Sequence, residues 1–174
     1  MQQATTAAIT ETAIVSLMKN YANYNFWANK TLVNWLRTKP QNLLEQEMPS
    51  SFSSIKKTIS HILECQQYWL SIIQKSEATF EGVGGSLDVV LDTFVKQSEE
   101  FAAFVDTMTA EEVTNPTLIT SQWFQCDFAN FEYVMQVMNH STYHRGQITS
   151  IGRQLGFTDA PMTDYNFYNI HGKA

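Results

Sequence analysis

Cysteine is scarce in this 174-residue chain: only Cys65 and Cys126 occur, too few for a disulfide framework and not arranged as Cys-x-x-Cys. Both are expected as reduced thiols packed inside. Positive charge is also short, with 11 Lys and Arg against 17 Asp and Glu and a formal net charge of −6. The basic residues are scattered, so no surface gathers phosphates, which argues against nucleic acid or an acidic membrane as partner. No apolar run approaches the ~20 residues of a membrane span. Met1 to Ala8 has no basic stretch leading into an apolar one, and the expected location is the cytoplasm. Internal repeats and low-complexity blocks are missing too, apart from an Ala- and Thr-rich first dozen residues expected to fray.

What the chain does have is apolar material, 44% hydrophobic with 13% aromatic, enough for a single core in one domain spanning 1–174. Four stripes of three- and four-residue spacing organise it. Ile14, Leu17, Met18, Tyr21, Tyr24, Ala28, Thr31, Leu32 and Trp35 predict a long helix ended by Pro40. After the serine cluster 50–54, a source of N-caps, Ile55, Ile59, Ile62, Gln66, Trp69, Leu70 and Ile73 predict a second. Gly82, Gly84 and Gly85 break the chain. Leu87, Val90, Leu91, Phe94, Ser98, Phe101, Val105 and Met108 then predict a third helix capped by Ser86, with one further turn capped at Thr109. Beyond Asn115-Pro116, residues 117–127 alternate weakly, as an irregular connection or short hairpin would. Phe131, Val134, Met138, Ser141, Arg145, Ile148, Ile151 and Leu155 predict a fourth long helix stopped by Gly156. The fold class is all-α, a four-helix bundle. The tryptophans 27, 35, 69 and 123 are read as core.

Two of only four histidines, His140 and His144, stand one helical turn apart. Four residues rise ~6 Å and advance ~40° beyond a full turn, so both imidazoles leave one face and can reach one ion. His61, on a shoulder of the second stripe, is the natural third donor. Shoulders meet at a cleft, which suits three nitrogen ligands with positions left for water or substrate, as in a catalytic ion site. The alternative is that the histidines are hydrogen-bonded core or rim residues. Ser141 stands where a His-Glu-x-x-His protease would carry its base, and one His-x-x-Glu is too few for a di-iron bundle. Glu64 reads as a solvated charge. Cys65, one turn after His61, can supply a thiolate or pack as a small hydrophobe. Arg145 projects into an apolar stripe and needs a carboxylate or carbonyl partner, either an anionic substrate or a group that pins the fold. His171 has no helical partner and is read as solvated.

Tyr24-Asn25-Phe26-Trp27-Ala28-Asn29-Lys30, the segment from Ser53 through His61 to Trp69, and Asn139-His140 through His144-Arg145-Gly146-Gln147 together resemble three segments of the DinB/YfiT-like proteins. The likeness spans about residues 12 to 160. It implies a metal-binding four-helix bundle with a three-histidine divalent site at His61, His140 and His144, and a homodimer. Zinc or nickel is the expected metal, with Asn29, Cys65, Arg145 and Gln147 as candidate pocket or supporting residues. Relatives in that group include bacillithiol transferases and a mycothiol-dependent maleylpyruvate isomerase. The resemblance does not fix the reaction, since many relatives have no known activity. The leading expectation is a metal-dependent enzyme whose open ion positions take a low-molecular-weight thiol or a water and act on an electrophilic small molecule. A metal-dependent hydrolase and a non-catalytic metal-binding stress or interaction protein stay open as alternatives.

Overall fold

A computed structural model describes residues 2–122 and 124–173, with side chains described from residue 13 onward. The expectations for the fraying first dozen and for Trp123 fall outside the described side chains. In chain order the elements are α1 (Gln2–Leu36), α2 (Gln41–Glu45), α3 (Ile55–Gln74), α4 (Leu87–Thr107), α5 (Ala110–Thr114), β1 (Pro116–Thr120), β2 (Gln125–Ala129), α6 (Asn130–Gln154) and α7 (Tyr165–His171). The four long helices pack in a ring, α1 on α4, α4 on α3, α3 on α6 and α6 on α1, which makes a four-helix bundle. The weak alternation after Pro116 is an antiparallel hairpin, with Ile119 opposite Cys126.

Local chemistry sets the helix ends. Ser54 Oγ accepts from Lys57 N at 3.1 Å, Ser86 Oγ from Val89 N, and Thr109 and Glu112 form a reciprocal capping box. At the end of α6, Gly156 takes φ 91°, and Phe157 N donates to Gly152 O at 2.8 Å. That is a Schellman-type stop, and it needs a residue free to turn left-handed.

Each long helix carries two apolar stretches separated by polar residues, so the core has two halves. One gathers Leu32, Leu36, Ile55, Ile59, Phe94 and Ile148; the other gathers Met18, Phe101, Val105, Val134 and Met138. Between them, on all four helices, lie buried Asn25 and Asn29, Gln66, Gln97 and Ser98, and Ser141 and Arg145. This polar belt occupies the middle of the bundle.

Several expectations are corrected. Leu17 is 51% exposed and lies off the buried stripe. The first helix ends at Leu36, and Pro40 stands at the N-cap of α2, a turn that the stripes did not reveal. His171 does lie in a helix, exposed, with its ring 4.4 Å from that of Phe167. Asp164 caps α7 by accepting from Phe167 N, and Tyr165 and Tyr168 pack it onto Tyr21 and Tyr24 of α1.

Candidate metal centre

Two helices present ligating atoms to each other, α3 with His61 and Cys65 and α6 with His140 and His144, each pair four residues apart. The spacing puts each pair on one face. His61 Nε2 and His140 Nε2 are 3.0 Å apart, and His140 Nε2 and His144 Nε2 are 3.1 Å apart. The ring centroids lie 4.4 to 4.8 Å from one another. Among the described residues, the His61, Cys65 and His140 ligand atoms form a compact group, all within 4.8 Å of one another. His144 adjoins that group through His140.

The arrangement fits a cation better than it fits a hydrogen-bonded cluster. His140 Nε2 faces two other ring nitrogens, and one ring proton satisfies only one of those contacts at a time. Two imidazole nitrogens at ~2.05 Å from a tetrahedral zinc ion stand about 3.3 Å apart, close to the observed separations. The tautomer of His144 agrees. Its Nδ1 lies 2.7 Å from Gln147 Oε1, an acceptor, so the proton belongs on Nδ1 and the Nε2 lone pair points at the cluster.

Electrostatics keep the donors ready. Burial first, then His144 and His61, bring His140 down to about 4. Burial and then His144 also lower His61. Both rings are therefore neutral at pH 7, as ligation requires. Cys65 moves the other way, pushed up to about 11 by burial and by the neighbouring Glu64 carboxylate.

Phe52, which the sequence reading did not single out, holds the rings in place. It stacks on His61 at 4.0 Å between centroids and meets His144 edge-on at 5.4 Å. Its loop is fixed by Ser53, which adopts φ 52° just before the Ser54 cap. The serine-rich run gave the cap but not the aromatic between the serines. A cleft of about 450 Å³ opens beside it, lined by Phe52, Lys56, Lys57, Ser60, His61 and Glu64.

Arg145 and Asn29 lie in the polar belt and make no hydrogen bond to the imidazoles. Arg145 donates to Asn25 Oδ1 at 2.7 Å, Asn29 Oδ1 at 2.8 Å, Thr142 Oγ1 at 2.8 Å and Tyr24 OH at 3.2 Å. The asparagine amides pass the network on to Gln66 and Ser98. Burial lowers the Arg145 pKa, and Tyr24 opposes that shift. Of the carboxylate or carbonyl partner expected for its guanidinium, the carbonyls of two asparagine amides are present, joined by two hydroxyls that were not expected.

The DinB family model matches residues 1–171. This chain belongs to the DinB family. Protein DinB of Bacillus subtilis (strain 168) is 29% identical to it over 158 residues, covering 83% of this chain and 89% of that protein. A solved DinB-like protein from Bacillus cereus ATCC 10987 superposes with a TM-score of 0.63 at 22% identity, over 80% of this chain and 90% of that one. A second, from Bacillus subtilis, gives 0.56 at 18% identity, over 87% and 98%. At these identities the structural likenesses establish the fold, and the chemistry has to be argued from the side chains.

Proposed function

We propose that this DinB-family chain holds a divalent ion, zinc or nickel, on His61, His140 and His144, and uses it to join a low-molecular-weight thiol to an electrophilic small molecule. The observation that carries the reading is the run of three facing Nε2 atoms at 3.0 and 3.1 Å, with Gln147 fixing the outermost ring. When bound, the ion acts as a Lewis acid that lowers the pKa of a thiol or water beside it. The protein's part is to hold three imidazole donors on rigid helices and to keep the His61 ring flat against Phe52. The cleft beside His61 is the approach for a small substrate. In the transfer, the thiol gives its proton to solvent, its sulfur forms a bond to the electrophilic carbon, and the leaving group departs with its electron pair. The homodimer expected from the family is part of the proposal, and sedimentation at micromolar protein tests it.

Metal analysis by mass spectrometry of untagged protein purified without chelators tests the site. Near-stoichiometric divalent metal in the wild type and its loss in a still-helical His140→Ala/His144→Ala variant are expected. No retention after reconstitution with zinc or nickel would mean that the imidazoles only pack. For the reaction, loss of free thiol from bacillithiol, glutathione or cysteine with monochlorobimane should exceed the metal-free control. Equal rates would remove the transferase reading and leave the metal site standing.

A further inference from the structure

We propose that Cys65 is a fourth protein ligand, so that α3 and α6 each contribute one i, i+4 pair to a His3Cys centre. The inference rests on the metal site proposed above and changes what its fourth position holds.

Cys65 Sγ lies 3.8 Å from His61 Nε2 and 3.9 Å from His61 Nδ1, and within 4.8 Å of the ligating atom of His140. A nitrogen at ~2.05 Å and a sulfur at ~2.3 Å on one tetrahedral ion stand about 3.6 Å apart, close to the 3.8 Å between Cys65 Sγ and His61 Nε2. The surroundings of the two cysteines differ in the same sense. Cys126 packs against the apolar cluster around Ile119 and Val134, and its sulfur lies 3.5 Å from Tyr133 OH. Cys65 instead turns its sulfur to ring nitrogens at the rim of the polar belt. A thiol that served only to fill the core would face the apolar side of α3, where Ile62 and Leu63 already lie fully buried.

On ligation the Sγ–H bond breaks, the proton passes to solvent, the sulfur lone pair forms the bond to the ion, and one solvent ligand leaves. No oxidant or reductant is required. The chain would then carry its own thiolate in the position where a free thiol would bind. An external thiol would enter by displacing Cys65 or by adding a fifth ligand, and the resting centre would be closed.

The test is cobalt(II) reconstitution of the full chain, followed by visible and near-ultraviolet absorption. Wild type and Cys126→Ser should show both ligand-field bands and a thiolate-to-cobalt charge-transfer band. Cys65→Ala should keep the ligand-field bands and lose the charge-transfer band, and 2-mercaptoethanol should restore it by filling the opened position. Ligand-field bands without charge transfer in the wild type would overturn Cys65 ligation and leave the three-histidine reading intact. A charge-transfer band persisting in Cys65→Ala without added thiol would overturn it too. Absence of any cobalt-dependent band in the wild type would remove both readings. Should Cys65→Ala fail to fold, X-ray absorption on the zinc-loaded wild type decides, since one sulfur in the first shell supports the inference and only nitrogen and oxygen neighbours overturn it.

Discussion

His144 gives the centre its direction, because its Nδ1 bond to Gln147 Oε1 is what commits Nε2 to the cluster. Gln147→Leu keeps the bulk of the side chain and removes the acceptor. Metal affinity should fall by about 10- to 100-fold while helicity is unchanged, measured by zinc competition against a chromophoric chelator. An unaltered dissociation constant would mean that packing against Phe52 alone orients the ring. His140 sets the pH response of the metal-free protein. Its folded pKa, about 4, lies below the ordinary histidine value of 6.5, so between those values the unfolded chain binds a proton that the folded chain refuses. The corresponding stability is present above pH 6.5 and is lost as pH falls towards 4. Urea midpoints of metal-free protein should therefore drop across that window, and His140→Gln should flatten the drop. His144 and His61, which face this ring, lower its pKa in the same direction as burial does.

At the scale of elements, the two glycines near the end of α6 are there for different reasons. A Cβ on Gly156 would meet nothing within 4 Å, so Gly156→Ala should cost only the conformational penalty of φ 91°, about 1 kcal/mol. A Cβ on Gly152 would lie 2.9 Å from Trp35 Cη2, and Trp35 is buried. Gly152→Ala should cost more, about 1–3 kcal/mol, because the indole must shift against Phe157. Equal urea unfolding energies for the two variants would contradict this assignment. The long helices and most of their ends were legible because burial repeats with the helical period and the caps are Ser54, Ser86 and Thr109. All eight apolar and polar positions read for α4, from Leu87 to Met108, are buried. The short α2 and α7 were not legible, since five or seven residues hold too few turns for a stripe to emerge. Asp164 followed by Tyr165 and Tyr168 was the available signal for α7. At the site, the i, i+4 histidine pair was visible because its geometry is local. The placement of Phe52 depends on the loop turning at Ser53, which no periodicity encodes.

For the whole molecule, the polar belt joins the fold to the centre. The residue after the second member of each proposed ligand pair belongs to it: Gln66 follows Cys65, and Arg145 follows His144. Asn25 and Asn29 of α1 hydrogen-bond to both Gln66 and Arg145, so α1 ties the rotation of α3 to that of α6. A rotation of α6 that swung His140 and His144 away from His61 would break those bonds. Two opposing effects decide what Arg145→Met does. Removing a buried guanidinium relieves a desolvation cost, which favours the variant. Against that, two carbonyl oxygens on asparagines that are 1% and 0% exposed lose their donors, at about 1–3 kcal/mol each, and the shorter side chain leaves a void. No carboxylate partners Arg145 among its described hydrogen bonds, so its removal strands neutral dipoles and not a charge. The net expectation is a loss of about 2–4 kcal/mol in urea unfolding of the metal-free protein. Metal affinity should weaken along with it, although Arg145 touches no proposed ligand. A variant that loses stability but binds zinc as tightly as the wild type would show that the belt pins the bundle without aligning the centre. A variant at least as stable as the wild type would show that the belt is held at a cost, which an energetically useful metal site would have to offset by binding only the folded state.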